Sequence, residues 1–98
     1  MTTMTLEELQ QNAFNAFQTA AGGDVVDVTR DGEVIARLSK TNIEDHARIT
    51  PLAESDFYQS ASGVVERVAE ESEPVLISTG LGDKSILIKP VRVGFSQW

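Results

Sequence analysis

Ninety-eight residues with eight Lys+Arg against fifteen Asp+Glu carry a formal net charge of −7, which disfavours a broad, nonspecific phosphate-binding surface. The 41% hydrophobic and 23% charged content is that of an ordinary globular chain, with no apolar run near the roughly 20 residues a membrane span requires. The chain contains no cysteine, so disulfide frameworks and thiolate metal sites are excluded and cytoplasmic residence is the expectation.

In chain order, "MTTMTLEELQQ" lacks a basic start followed by an apolar run, so no secretory signal is expected. Leu6, Leu9, Ala13, Phe17 and Ala20 then recur at helical spacing. Thr5 with Glu8 makes a capping box and Gly22-Gly23 stops the run, so a helix is predicted over 6–21. Val26 and Val28 alternate with polar neighbours and Asp31-Gly32 supplies the turn, so 25–30 and 33–39 are predicted to pair as a hairpin. Thr41 and Glu44 repeat the capping box ahead of a short helix in "TNIEDHARI" that must end before Pro51. "TPLAESD" reads as a linker.

The order then recurs. Phe57, Ala61, Val64, Val65 and Val68 line a helix over about 56–71, and Pro74 precedes strands at 75–79 and 84–89. Sliding the sequence on itself by 49 residues places Val26 on Val75, Val28 on Ile77 and Ala20 on Ala69; beyond the turn a shift of 50 places Gly32 on Gly82 and Leu38 on Ile88. Two half-repeats, 5–49 and 55–90, with a tail at 91–98, therefore form one domain of residues 1–98, because a half of about 50 residues buries too little surface to stand alone. The expected fold is α+β: two helix-plus-hairpin units joined about a pseudo-twofold axis into one antiparallel sheet with helices on one face.

Residues 7–40, "EELQQNAFNAFQTAAGGDVVDVTRDGEVIARLSK", resemble the DNA-binding half of the prevent-host-death (Phd/YefM) antitoxins. That family's pattern runs E-A-R-x-N-L, an amphipathic helix, a Gly-acidic turn, then V-x-I-T-R-x-G-x-x-x-A-x-L. Glu8, Asn12, Gly23, Asp24, Val26, Val28, Thr29, Arg30, Gly32, Ala36 and Leu38 fall on it without a gap. The second half looks like the family more loosely, through Ser55, Asp56, Gln59, Pro74, Val75, Ile77, Ser78, Gly82 and Ile86. The resemblance implies a non-enzymatic antitoxin or repressor, normally a homodimer on operator DNA whose C-terminal tail silences a toxin. The internal repeat predicts a monomeric pseudo-dimer in place of that homodimer. Two departures stand out: the motif arginine is Gln10 in one half and Tyr58 in the other, and only "VRVGFSQW" follows the second hairpin. Losing a cation at each copy weakens phosphate contact.

On this reading the DNA-side candidates are Gln10, Asn12, Arg30 and Arg37, with operator DNA and a cognate toxin as partners. The alternative is an acidic, phage-type inhibitor or DNA mimic that keeps the scaffold and engages a basic host protein. Arg30 and Arg37 share a hairpin and lie within reach of each other across it, as a phosphate or partner contact or as ion pairs with Asp27 or Glu33. Phe95 and Trp98 in the tail suit a partner anchor, an added edge strand or packing on the body of the domain.

No cofactor and no metal site is expected. His46 is the lone histidine and reads as a helix-surface or interface residue; "GLGDKS" fails phosphate-loop spacing and reads as a turn. Asp24, Asp27, Asp31 and Glu33 miss calcium-loop spacing and read as a solvated face. No nucleophile–base pair can be assembled, so catalysis is not expected.

Overall fold

The computed structural model describes residues 2–41, 50–79 and 84–91. The chain opens with β1 (Thr2–Thr5), α1 (Leu6–Gln11) and α2 (Ala13–Ala21), then β2 (Val26–Arg30) and β3 (Glu33–Lys40). The same order returns as β4 (Leu52–Ala53), α3 (Glu54–Gln59), α4 (Ala61–Glu71), β5 (Val75–Ser78) and β6 (Ser85–Pro90). The six strands form one sheet in the order β1-β2-β3-β6-β5-β4.

The expected hairpins form, and Asp31 (φ 54°) and Gly32 (φ 84°) both take the left-handed backbone that a two-residue turn between twisted strands needs. The sheet is nevertheless mixed, not antiparallel throughout. β1 runs parallel to β2, Thr2 opposite Val26 and Met4 opposite Val28, and β4 runs parallel to β5, Leu52 opposite Ile77. Each unit thus begins with an edge strand, at Thr2 and at Leu52, ahead of the half-repeat starts expected at 5 and 55.

The single helices expected at 6–21 and 56–71 are each broken in two. Asn12 (φ −125°, ψ 32°) and Ser60 (φ −139°, ψ 38°) leave helical geometry at matching places. Asn12 turns its side-chain amide back to the Glu8 carbonyl at 2.9 Å, a local bond that competes with the helix ladder. The expected cap at Thr5 is present: its hydroxyl accepts from the Glu8 amide and Glu8 accepts from the Thr5 amide. The expected helix at "TNIEDHARI" lies outside the described residues, beyond Thr41.

Register makes the internal repeat geometric. From β1 through α2 the matching residue lies 48 positions on: Met4 with Leu52, Asn12 with Ser60, and buried Leu9, Ala13, Phe17 and Ala20 with buried Phe57, Ala61, Val65 and Val68. Ala20 therefore matches Val68, not Ala69. For β2 the shift is 49 and for β3 it is 50, so the cross-strand pairs Val26–Leu38 and Val28–Ala36 return as Val75–Ile88 and Ile77–Ile86. At the junction β3 lies antiparallel to β6 with Leu38 opposite Ile88, and these two are themselves equivalent. Ala36–Pro90 and Lys40–Ile86 flank that pair and exchange with each other under the same shift, which places a pseudo-twofold axis through Leu38 and Ile88.

Val26, Val28, Ala36, Leu38, Ile77, Ile86 and Ile88 share a core with the inward residues of the four helices among the described residues, so these helices cover one face of the sheet. Burying Phe17 and Phe57 contributes about 2–3 kcal/mol each. A bulge between Val28 and Thr29 leaves Ile35 without a strand partner, so Ile35 and Ala36 both enter the core in succession. Helices from opposite halves pack together, α1 on α4 and α2 on α3, so neither half closes its own core.

Candidate interaction surface

Gln10 and Tyr58, equivalent positions in the two halves, meet at the seam between them. Gln10 projects from α1 into the break between α3 and α4, where its Nε2 donates to the carbonyls of Tyr58 and Gln59, both at 3.4 Å. Its Oε1 accepts from the Ser62 amide and the Ser62 hydroxyl, both at 3.1 Å. Ser62 is the second residue of α4, whose amide the helix leaves without an internal partner, so Gln10 caps α4 from the other half.

Tyr58, the counterpart of Gln10, meets Phe14 edge-on at 5.6 Å and Phe17 at 6.1 Å. Its hydroxyl donates to Glu54 Oε2 at 3.0 Å. Burial first, and then the Glu54 carboxylate beside it, push the Tyr58 phenol up to about 12. Phe14 is itself the counterpart of Ser62, so one pair of positions is filled by amide and hydroxyl on one side of the axis and by two aromatic rings on the other. Phe14 is 58% exposed, so this aromatic pair also shows a surface edge.

The remaining sequence candidates disperse. Asn12 is exposed, its amide occupied by Glu8. Arg30 is 42% exposed and lies 4.0 Å from Glu66 of α4. Arg37 lies on the face away from the helices, where its Nε meets Asp27 Oδ1 at 2.7 Å and its Nη2 meets Oδ2 at 3.4 Å. The Asp27 hydrogen bond and charge raise the Arg37 guanidinium above its ordinary value. The two arginines thus do not meet: register sets Arg30 opposite Glu33 and Arg37 opposite Asp27. Asp27, expected on a solvated face, is only 5% exposed, because β1 and β3 flank it on both sides. Asp24 is exposed, and the Val25 amide above all, with the Thr2 hydroxyl adding least, holds its carboxyl below the usual range.

Within "GLGDKS", Lys84 donates to Gln18 at 3.2 Å and the Ser85 hydroxyl to the Thr41 carbonyl at 2.7 Å. Phe95, Trp98 and His46 lie outside the described residues. Among the described residues no group of three or more His, Cys, Asp or Glu is placed to hold a metal ion, and no helix is long and apolar enough to cross a membrane.

A groove that sequence reasoning missed runs between the outer face of α4 and the β4 edge. One stretch, about 420 Å³, is lined by Leu52, Asp56, Ser60, Gly63, Val64 and Arg67. A second, about 250 Å³, shares Leu52, Val64 and Arg67 and continues over Pro51 and Val75. Its sequence signal is Gly63, a glycine in a helix where the first half has Asn15. No family model, curated protein or solved structure matches the chain.

Proposed function

We propose that the chain is a non-catalytic binding protein of the Phd/YefM type in which both partners of the dimer are written into one polypeptide, working in the cytoplasm as an antitoxin-like binder of a protein. The palindromic strand order about Leu38 and Ile88 supports the pseudo-dimer. The observation that carries the choice of ligand is the inward turn of Gln10: the residue at the motif's arginine position caps a helix of the opposite half instead of facing a phosphate. With Tyr58 packed on Phe14 and Phe17, neither copy of that position offers a cation.

Operator DNA is the second reading, favoured by Arg30, which is 42% exposed and held by Glu66 only at 4.0 Å. A gel shift at low salt with DNA from upstream of its own gene, run beside affinity capture from its own cells, separates the two. The protein-binder reading expects a captured protein and no salt-sensitive DNA retention at micromolar concentration. Salt-sensitive retention of DNA with no captured protein overturns it.

A further inference from the structure

Gly63 lies in the first turn of α4, and neither backbone nor packing inside the chain calls for glycine there. Its backbone is helical, and a methyl group added to it would meet nothing within 4 Å. Glycine weakens a helix through the extra freedom it loses on folding. What glycine offers in exchange is close approach by something outside the chain. Gly63 sits on the floor of the 420 Å³ stretch with half-buried Val64 and Leu52, which supply an apolar base.

Arg67, one turn further on, borders both stretches of the groove and makes no ion pair or hydrogen bond among the described residues. Glu70 and Glu71 on the same helix are exposed and lie outside ion-pair distance of it. Asp56, on α3, also borders the 420 Å³ stretch. The groove therefore asks for a ligand with an apolar face, a carboxylate toward Arg67 and a cation toward Asp56.

The sheet edge narrows the shape of that ligand. In β1 the Thr2 amide bonds inward to the Val25 carbonyl, so the next amide, that of Thr3, points outward. Register places Pro51 at the position of Thr3, and proline has no N–H to offer an added strand. A helix crossing at Gly63, where backbones approach closely, fits where a strand does not. A second copy of this chain is disfavoured by its net charge of −7.

We propose that this groove docks an amphipathic helix of a partner protein, its carboxylate on Arg67 and its apolar face over Gly63, Val64 and Leu52. The proposal rests on the reading of the chain as a protein binder. The probe is a phage-displayed library of helix-forming 18-residue peptides, selected on the intact chain. Selected peptides should carry an acidic and a basic residue flanking their apolar face. They should lose at least tenfold in affinity on Arg67→Glu and on Gly63→Leu, both folded by circular dichroism, and keep it on Asn15→Leu, the matching change in the other half. Failure to select any peptide, binding indifferent to both substitutions, or a doubled mass abolished by Gly63→Leu overturns the proposal. Photo-crosslinking in the protein's own cells, from a benzophenone residue at Gln59, which also borders the 420 Å³ stretch, or at its counterpart Gln11, separates the two layers. A protein adduct from position 59 upholds both. An adduct from position 11 alone overturns the groove and leaves the protein-binder reading standing, and no protein adduct from either overturns both.

Discussion

Gln10 and Tyr58 hold the same place in the two halves and close the same seam with opposite chemistry: Gln10 caps α4 through Ser62, while Tyr58 packs edge-on against Phe14 at 5.6 Å. Pairing two copies of the first half would set Gln10 against Phe14 twice. Pairing two copies of the second would set Tyr58 against Ser62 twice. Only the mixed pairing joins polar with polar and aromatic with aromatic, so the seam selects the arrangement in which each half meets the other kind.

Removing the cap tests that seam. Gln10→Ala should lower stability by about 1 kcal/mol, because the Ser62 amide at the start of α4 loses its acceptor. Gln10→Arg, which places a cation at this position, should cost a similar amount, since a guanidinium cannot accept from that amide. Urea unfolding reads both. An unchanged midpoint for Gln10→Arg would show that the position is free to carry a cation.

Tyr58 is the only tyrosine in the chain, so absorbance near the tyrosinate band reports it alone. Its phenol is held up to about 12, above the ordinary 10.0. Because the folded value is the raised one, this stabilisation is complete below pH 10 and is lost as pH rises from 10 toward 12. With solvent screening allowed for, about 1 kcal/mol is at stake. Tyr58→Phe should remove this alkaline loss, and a spectroscopic midpoint near 10 in the folded protein would contradict the packing described for the seam.

On the opposite face, the buried carboxylate of Asp27 and the Arg37 guanidinium occupy the places that Leu76 and Leu87 fill in the second half. Arg37→Leu alone should destabilise by about 2 kcal/mol by leaving Asp27 unpaired. Adding Asp27→Leu should recover most of that loss, since an ion pair replaced by apolar residues of similar size is often neutral. A double-mutant cycle in denaturant checks it, with simple additivity of two losses as the contrary result.

Much of this fold was legible in the residues, and the misses share a cause. The hairpins were readable because alternation and the Asp31-Gly32 turn are local signals. The strands β1 and β4 were not, because "TTMT" offers a single apolar residue and Leu52–Ala53 spans two; both are strands only through parallel pairing with chain some 24 residues away. The breaks at Asn12 and Ser60 hid inside an unbroken apolar period, since Leu9 and Ala13 stay on one face across the interruption. Gln10 and Arg37 were visible as polar side chains, but what they bond to is fixed by the packing of distant segments. Gly63 carried a readable signal, a glycine within a helical run, that the apolar period around it masked.

Gly63→Ala should raise folding stability by roughly 0.5 kcal/mol, because the added methyl group meets open space and the unfolded chain loses freedom. Thermal melts compare it with wild type. A lower melting temperature would show that Gly63 serves the fold itself.

The pairing of the two halves about Leu38 and Ile88 is tested most directly by multi-angle light scattering across a wide range of protein concentration. A chain whose halves complete each other holds a constant mass near 10.7 kDa. A stable species of twice that mass that persists in Gly63→Leu would mean that each half takes its partner from another molecule, and would contradict the fused pseudo-dimer.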